Sequence, residues 1–247
     1  MKNHFAVKLT LFFLLFALIM TALAFLLGSL KMPKLDKKND LPANASVPVY
    51  QTVIIDAGHG GEDGGATSAA GLVEKEVNLD ISLTLCDMLR ASGINVVMTR
   101  TDDRLLYDRN VDFKGRKKKL DLAARRAVAE STPDAIFISI HMNSFTDPKY
   151  SGLQVWYSPN NVDSAPLAES IRSKNREMIQ INNTRKCKAA TSAINLLHNA
   201  ICPAVLVVCG FLSNPDEAAL FESEEHRQRV AFMLYCSLIA FLDTENK

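Results

Sequence analysis

The chain has 247 residues, 28 Lys and Arg against 27 Asp and Glu, and a formal net charge of +1. Its 48% hydrophobic content is enough to build a core, which excludes a wholly disordered chain. The near-zero charge argues against a nucleic-acid binder, and five cysteines without a C-x-x-C pair make neither a disulfide scaffold nor a cysteine zinc ribbon.

Residues 9–27 form a nineteen-residue run whose only polar members are Thr10 and Thr21. As a helix it would span roughly 28 Å, close to the thickness of a bilayer core. A cleaved signal peptide is the alternative, with Ala22-Leu23-Ala24 as its cleavage site. An uncleaved anchor is favoured because Phe25-Leu26-Leu27 continues the apolar run. Residues 1–30 are therefore expected to form a transmembrane anchor or signal segment. Lysines flank the run on both sides, so charge alone does not orient it. Short N-terminal anchors often export the domain behind them, which would place the body on the outer side of the membrane. Residues 31–50, rich in Lys, Pro, Asn and Asp, read as a linker.

From residue 51 strand and helix signals alternate. Residues 52–56 (TVIID) predict a buried strand, 76–91 a helix, and 94–99 (INVVMT) a second strand. The stretch 102–115 is polar and irregular. A helix is expected over 117–131, strands over 135–140 (AIFISI) and 153–157, and a helix over 165–181. A late strand at 204–209 (AVLVVC) and a helix over 224–242 close the chain. This alternation predicts a single α/β domain over 51–247, with ligands bound beyond the carboxyl ends of the strands.

Five of the eleven glycines lie in the window 58–65 (GHGGEDGG), just after the first strand. A P-loop would need Lys-Ser/Thr after the last glycine, but Ala66-Thr67 stands there. A dinucleotide fingerprint would need glycine where Asp63 stands. A metal site is the third reading. His59 and His141 both sit at strand ends, and Glu74 opens the helix after the glycine loop, where a carboxylate is stabilised. Two histidines, one glutamate and an open fourth position make a catalytic zinc set. Spacing alone leaves open that each histidine is merely hydrogen-bonded and that Glu74 is a helix cap.

Four segments occur in one order: DAGHGGEDGGA (56–66), EKEVNL (74–79), SIHMNS (139–144) and GFLSNPDEAAL (210–220). Together they resemble the zinc-dependent N-acetylmuramoyl-L-alanine amidases of type 3, over roughly residues 53–242. The short N-terminal anchor, the single-domain length and the lack of wall-binding repeats are most similar to the membrane-anchored sporulation cortex amidases. The resemblance implies a mixed, roughly six-stranded sheet flanked by helices. It implies zinc held by His59, Glu74 and His141, peptidoglycan as substrate, and cleavage of the amide between muramic acid and L-Ala by a zinc-activated water. Some relatives also depend on a protein partner.

One position departs from the family. Val208 stands where the resemblance implies a catalytic Glu, and valine can neither take nor give a proton. General acid–base help is typically worth about 10²–10⁴ in rate. This leaves three readings: an amidase that uses another base, a zinc-holding pseudo-amidase that binds wall or a partner without turnover, or an ordinary amidase in which Val208 is a sequence-level change, since Glu and Val codons can differ by one base. Glu62 and Asp63 are candidates to reach the metal. Cys209 is expected to face away from the site as a core residue, since successive strand residues alternate. Glu217 is expected to be solvated or capping. The basic stretch 116–119 with Arg125 and Arg126 reads as a solvated helix face, and Arg100 as a partner in a structural ion pair. His198 and His226 receive no role, and no substrate-binding residue is assigned.

Overall fold

The computed structural model describes residues 50, 52–108, 110, 114–132 and 134–245. The expected anchor and most of the linker lie outside the described residues. Among the described residues no helix is long and apolar enough to cross a membrane.

The strands are β1 (Thr52–Ala57), β2 (Asn95–Met98), β3 (Ala135–Asn143), β4 (Gln154–Tyr157), β5 (Lys188–Ala189) and β6 (Ala204–Phe211). The helices are α1 (Glu74–Ala91), α2 (Lys117–Glu130), α3 (Ser164–Met178), α4 (Asn195–His198), α5 (Pro215–Glu222) and α6 (Glu224–Glu245). They form the expected α/β domain, built on one six-stranded sheet of order β2-β1-β3-β6-β4-β5. β2, β1, β3 and β6 run parallel, and β4 is antiparallel to β6, so the sheet is mixed.

The central strands β1, β3 and β6 read as continuous apolar runs because helices cover both faces. Val53, Ile55, Ile136, Ile138, Ile140, Val205, Val207 and Cys209 pack on one side against α1, α3 and α6. Ile54, Ala135, Phe137 and Ala204 pack on the other side against α4, with Val128 and Ala129 of α2 beside them. Period-2 alternation sorts the two sets.

Three differences from the sequence reading bear on function. β3 runs on to Asn143, so His141 lies within a strand rather than beyond it, and β6, already expected to hold Val208, runs on to Phe211. The register between these strands shifts between His141 and Asn143, a β-bulge at the end where the candidate site lies. The short elements β5, α4 and α5 complete the fold; α5 begins with Pro215 at N1, and the Asn214 side chain accepts from the Glu217 amide.

Candidate metal centre

The glycine-rich loop leaves β1 at its carboxyl end and folds back over β3. Gly58 N–H donates to Ile140 O at 3.0 Å, and Gly60 and Asp63 exchange backbone hydrogen bonds of 2.9 and 3.1 Å. Between them His59 adopts φ +62°, a left-handed conformation uncommon outside glycine. Two glycines here are matters of space. A Cβ on Gly58 would lie 2.3 Å from the His141 ring, and one on Gly65 would lie 2.5 Å from Glu74 Oε2. The loop therefore closes onto the ligand side chains themselves.

Glu74 is the first residue of α1 and is 4% exposed. Its Oε2 accepts from Ala66 N–H at 2.8 Å and its Oε1 from Met142 N–H at 2.9 Å. The same Oε1 faces His59 Nε2 at 3.2 Å and His141 Nδ1 at 3.1 Å. Burial alone would raise the Glu74 pKa, but the two imidazoles outweigh it and hold the carboxyl well below the usual range. For His59 burial opposes charging, yet Glu74 and Asp63 push its pKa up.

His59, Glu74 and His141 each offer a ligand atom, and these atoms lie within 4.8 Å of one another. Two nitrogens and one carboxylate oxygen suit zinc, and three protein ligands leave a position open for chemistry. The residues present thus fit a metal: a buried carboxylate aimed at two imidazoles, under a loop whose glycines leave no room for side chains. A cavity of about 120 Å³ opens beside them, lined by His59, His141, Asp63, Lys118 and Leu196 among others.

The surrounding shell corrects several expectations. Arg125 is not on a solvated face; it is 2% exposed. Its Nε donates to Asp121 at 2.7 Å, and one terminal nitrogen donates to Asp56 at 2.6 Å and to Ala57 O at 2.7 Å. The other donates to His59 O at 2.7 Å. Arg100, also buried, makes no hydrogen bond to a carboxylate among the described residues. It donates to the carbonyls of Ala57 and Gly58 at 2.9 Å, of Lys75 at 2.8 Å and of Asp102 at 3.1 Å. Burial and the neighbouring Arg125 charge pull its pKa down to about 10.

Asp56 receives Thr99 Oγ1 at 2.8 Å and Ser139 Oγ at 2.6 Å besides Arg125. Pattern reading singled out neither Asp56 nor Asp121. A charged residue ending an apolar strand, and an Asp four residues before an Arg on one helix, were the available signals.

Of the two loop acids, Asp63 Oδ1 lies 3.0 Å from His59 Nδ1. That buried nitrogen has no aligned hydrogen bond, so the contact is electrostatic. Glu62 instead pairs with Lys117 at 2.6 Å. Glu217 is neither solvated nor a simple cap. It is buried, and accepts from Phe211 N–H and Gly152 N–H, each at 2.8 Å, which secures the bulged end of β6. Burial pushes its pKa up.

Val208 is 5% exposed and is the register partner of His141. Partners on adjacent parallel strands point to the same face, so Val208 lies on the face that carries Asp56, Ser139 and His141. Cys209 points to the opposite face, packs in the core, and has its thiol pushed up to about 12 by burial. It is not a nucleophile.

Fold and site together define a class: an α/β domain with a two-histidine, one-carboxylate constellation where β1, β3 and α1 meet. The family model for N-acetylmuramoyl-L-alanine amidase (Amidase_3) matches residues 53–239. The chain belongs to this type 3 amidase family. It is 34% identical over 224 residues to the germination-specific N-acetylmuramoyl-L-alanine amidase of Bacillus subtilis strain 168, covering 89% of this chain and 93% of that protein. Among solved structures it is similar to the CwlD amidase of Clostridioides difficile in complex with the GerS lipoprotein. The identity is 34% and the TM-score 0.75, with 78% of this chain and 99% of that chain covered. The amidase AmiC2 of Nostoc punctiforme matches at 28% identity and a TM-score of 0.65, over 78% of this chain and 98% of that one.

Proposed function

We propose that the chain is a zinc-dependent hydrolase of the amide between N-acetylmuramic acid and L-alanine in peptidoglycan, acting in spore cortex or cell-wall remodelling. The observation that carries this reading is the convergence of His59 Nε2 and His141 Nδ1 on one oxygen of Glu74. Zinc held by these three residues would act as a Lewis acid and lower the pKa of a coordinated water towards ~7. The protein's own groups do the rest. The two backbone N–H donors on Glu74 fix its carboxylate orientation. Asp63 biases the His59 ring from its far side. Leu196 and Leu122 make part of the cavity wall apolar, which strengthens electrostatic interactions inside it.

A second reading rests on Val208. No side chain at that position can move a proton beside His141, which supports a pseudo-amidase that binds wall or a partner without turnover. The experiment that separates the two uses the full chain in mild detergent, loaded with zinc and given peptidoglycan. Newly exposed L-Ala amino groups are counted, beside the Val208→Glu variant. Comparable release by both supports a working amidase with another base. Release by the variant alone supports the binder.

Residues 1–30 are proposed as a membrane anchor, 31–50 as a linker and 51–247 as the catalytic domain, held on the outer, cell-wall side. The similar CwlD structure is a complex with a lipoprotein, which supports a protein partner for this chain.

A further inference from the structure

The carbonyls of three consecutive residues, Ala57, Gly58 and His59, all turn towards buried guanidinium groups. Ala57 O accepts from both Arg100 and Arg125, Gly58 O from Arg100, and His59 O from Arg125. This is an unusual use of two buried cations. A buried arginine is ordinarily satisfied by carboxylates, and Arg125 has two of them within 2.7 Å. Its remaining hydrogen bonds nevertheless go to backbone carbonyls, Ala57 O at the end of β1 and His59 O in the loop. The carbonyl on its second terminal nitrogen belongs to the one residue of the loop that is both a non-glycine at positive φ and a candidate ligand.

A histidine at φ +62° costs energy that something must offset. A charge-assisted hydrogen bond of 2.7 Å to its own carbonyl is well placed to do so. The guanidinium is itself held by two carboxylates. Asp121, one turn earlier on α2, takes its Nε, and Asp56 at the end of β1 takes a terminal nitrogen. Thr99, just after β2, and Ser139 on β3 in turn fix Asp56. The chain from α2 through Arg125 to the His59 backbone is therefore held by the protein's own hydrogen bonds.

We infer that Arg125 is a positioning residue that holds the backbone of His59 in its left-handed conformation and so sets the affinity of the site for zinc. The inference rests on the metal reading above. Lysine at 125 keeps the positive charge, so the long-range field at the site is preserved. A single ammonium cannot reach Asp56, Asp121, Ala57 O and His59 O together.

The test is zinc affinity by chelator competition on the full chain, for the wild type, Arg125→Lys and Val230→Ala. Val230, 3% exposed on α6, serves as a destabilised control on the opposite face. The expected result is zinc affinity 10- to 100-fold weaker in Arg125→Lys, the size typical of losing an outer-shell partner. Val230→Ala should lower Tm and leave zinc affinity unchanged. Equal affinity in wild type and Arg125→Lys would overturn the inference while leaving the metal reading intact; so would equal weakening in Val230→Ala. No zinc binding by the wild type would overturn the metal reading, and the inference with it. Should Arg125→Lys not fold, amide hydrogen exchange in the zinc-free wild type decides. Protection at Gly58 and Gly60 before zinc is added supports a loop shaped by Arg125; fast exchange that only zinc suppresses overturns it.

Discussion

His141 and Val208 are register partners on β3 and β6, and their side chains share one face of the sheet. A candidate metal ligand thus stands beside an aliphatic residue where the family resemblance implies a glutamate. The valine is 5% exposed, so a carboxylate placed there would be desolvated as well as close to a candidate metal ligand. A base in such a place has its pKa set by burial and by the metal charge in opposite directions.

Val208→Glu is expected to raise amide hydrolysis by about 10²–10⁴-fold if the chain lacks another base. The same change buries a carboxylate without a partner when zinc is withheld, at a cost of several kcal/mol. Thermal denaturation should therefore show a lower Tm for the variant in chelator, with zinc restoring most of the loss. A variant as stable as the wild type in chelator would mean that position 208 is open to solvent.

Glu74→Gln should keep the fold but weaken zinc binding. The amide oxygen can still accept one backbone N–H, whereas the negative charge shared between the two imidazoles is gone. Zinc content after dialysis, read against the circular dichroism spectrum, checks this. Full zinc occupancy in a folded Glu74→Gln protein would remove Glu74 from the ligand set.

Gly58→Ala introduces a methyl group 2.3 Å from the His141 ring. The ring must move, and overpacking of this kind costs about 1–3 kcal/mol. Reduced zinc affinity together with a lowered Tm is expected from calorimetry. Alanine here without effect on either would show that the loop and β3 separate easily.

Acid stability should depend on Asp56. Burial alone would raise its pKa, but Arg125 and Ser139 outweigh burial and hold it below the ordinary carboxylate range. A depressed folded-state pKa contributes stability that is present above the unfolded value of about 4 and lost as pH falls through the folded value. Ser139→Ala removes one of the groups that lower it. Its acid-unfolding midpoint, followed by fluorescence of Trp156, should shift to higher pH.

Cys209 should be inert to thiol reagents in the native state, because its thiol is buried and pushed up to about 12. Mass spectrometry after alkylation is expected to find it unmodified until the protein is unfolded, and Cys209→Ala should leave hydrolysis unchanged. Native labelling at this position would reopen its rejection as a nucleophile.

The main strands and helices and the α/β class were legible in the residues, because each depends on short-range pattern, whereas the mixed sheet and the set of His59, Glu74 and His141 came from the resemblance of four motifs to a known family. Apolar runs mark strands buried on both faces, period-3.6 stripes mark helices, and a glycine-rich turn at a strand end marks a site. Alternation along β6 was enough to send Val208 and Cys209 to opposite faces. The features that stayed hidden depend on partners far apart in the chain. Arg125 looked like one more surface cation, because its acceptor Asp56 is 69 residues away. Glu217 looked solvated, because nothing near it in sequence reveals the amides of Gly152 and Phe211. Arg100 was expected to find a carboxylate and finds carbonyls, since only the folded loop aims them at it. Sequence decided which groups are available for chemistry. Tertiary structure decided which charges are buried and what satisfies them, because desolvation and hydrogen-bond geometry exist only once distant segments pack together.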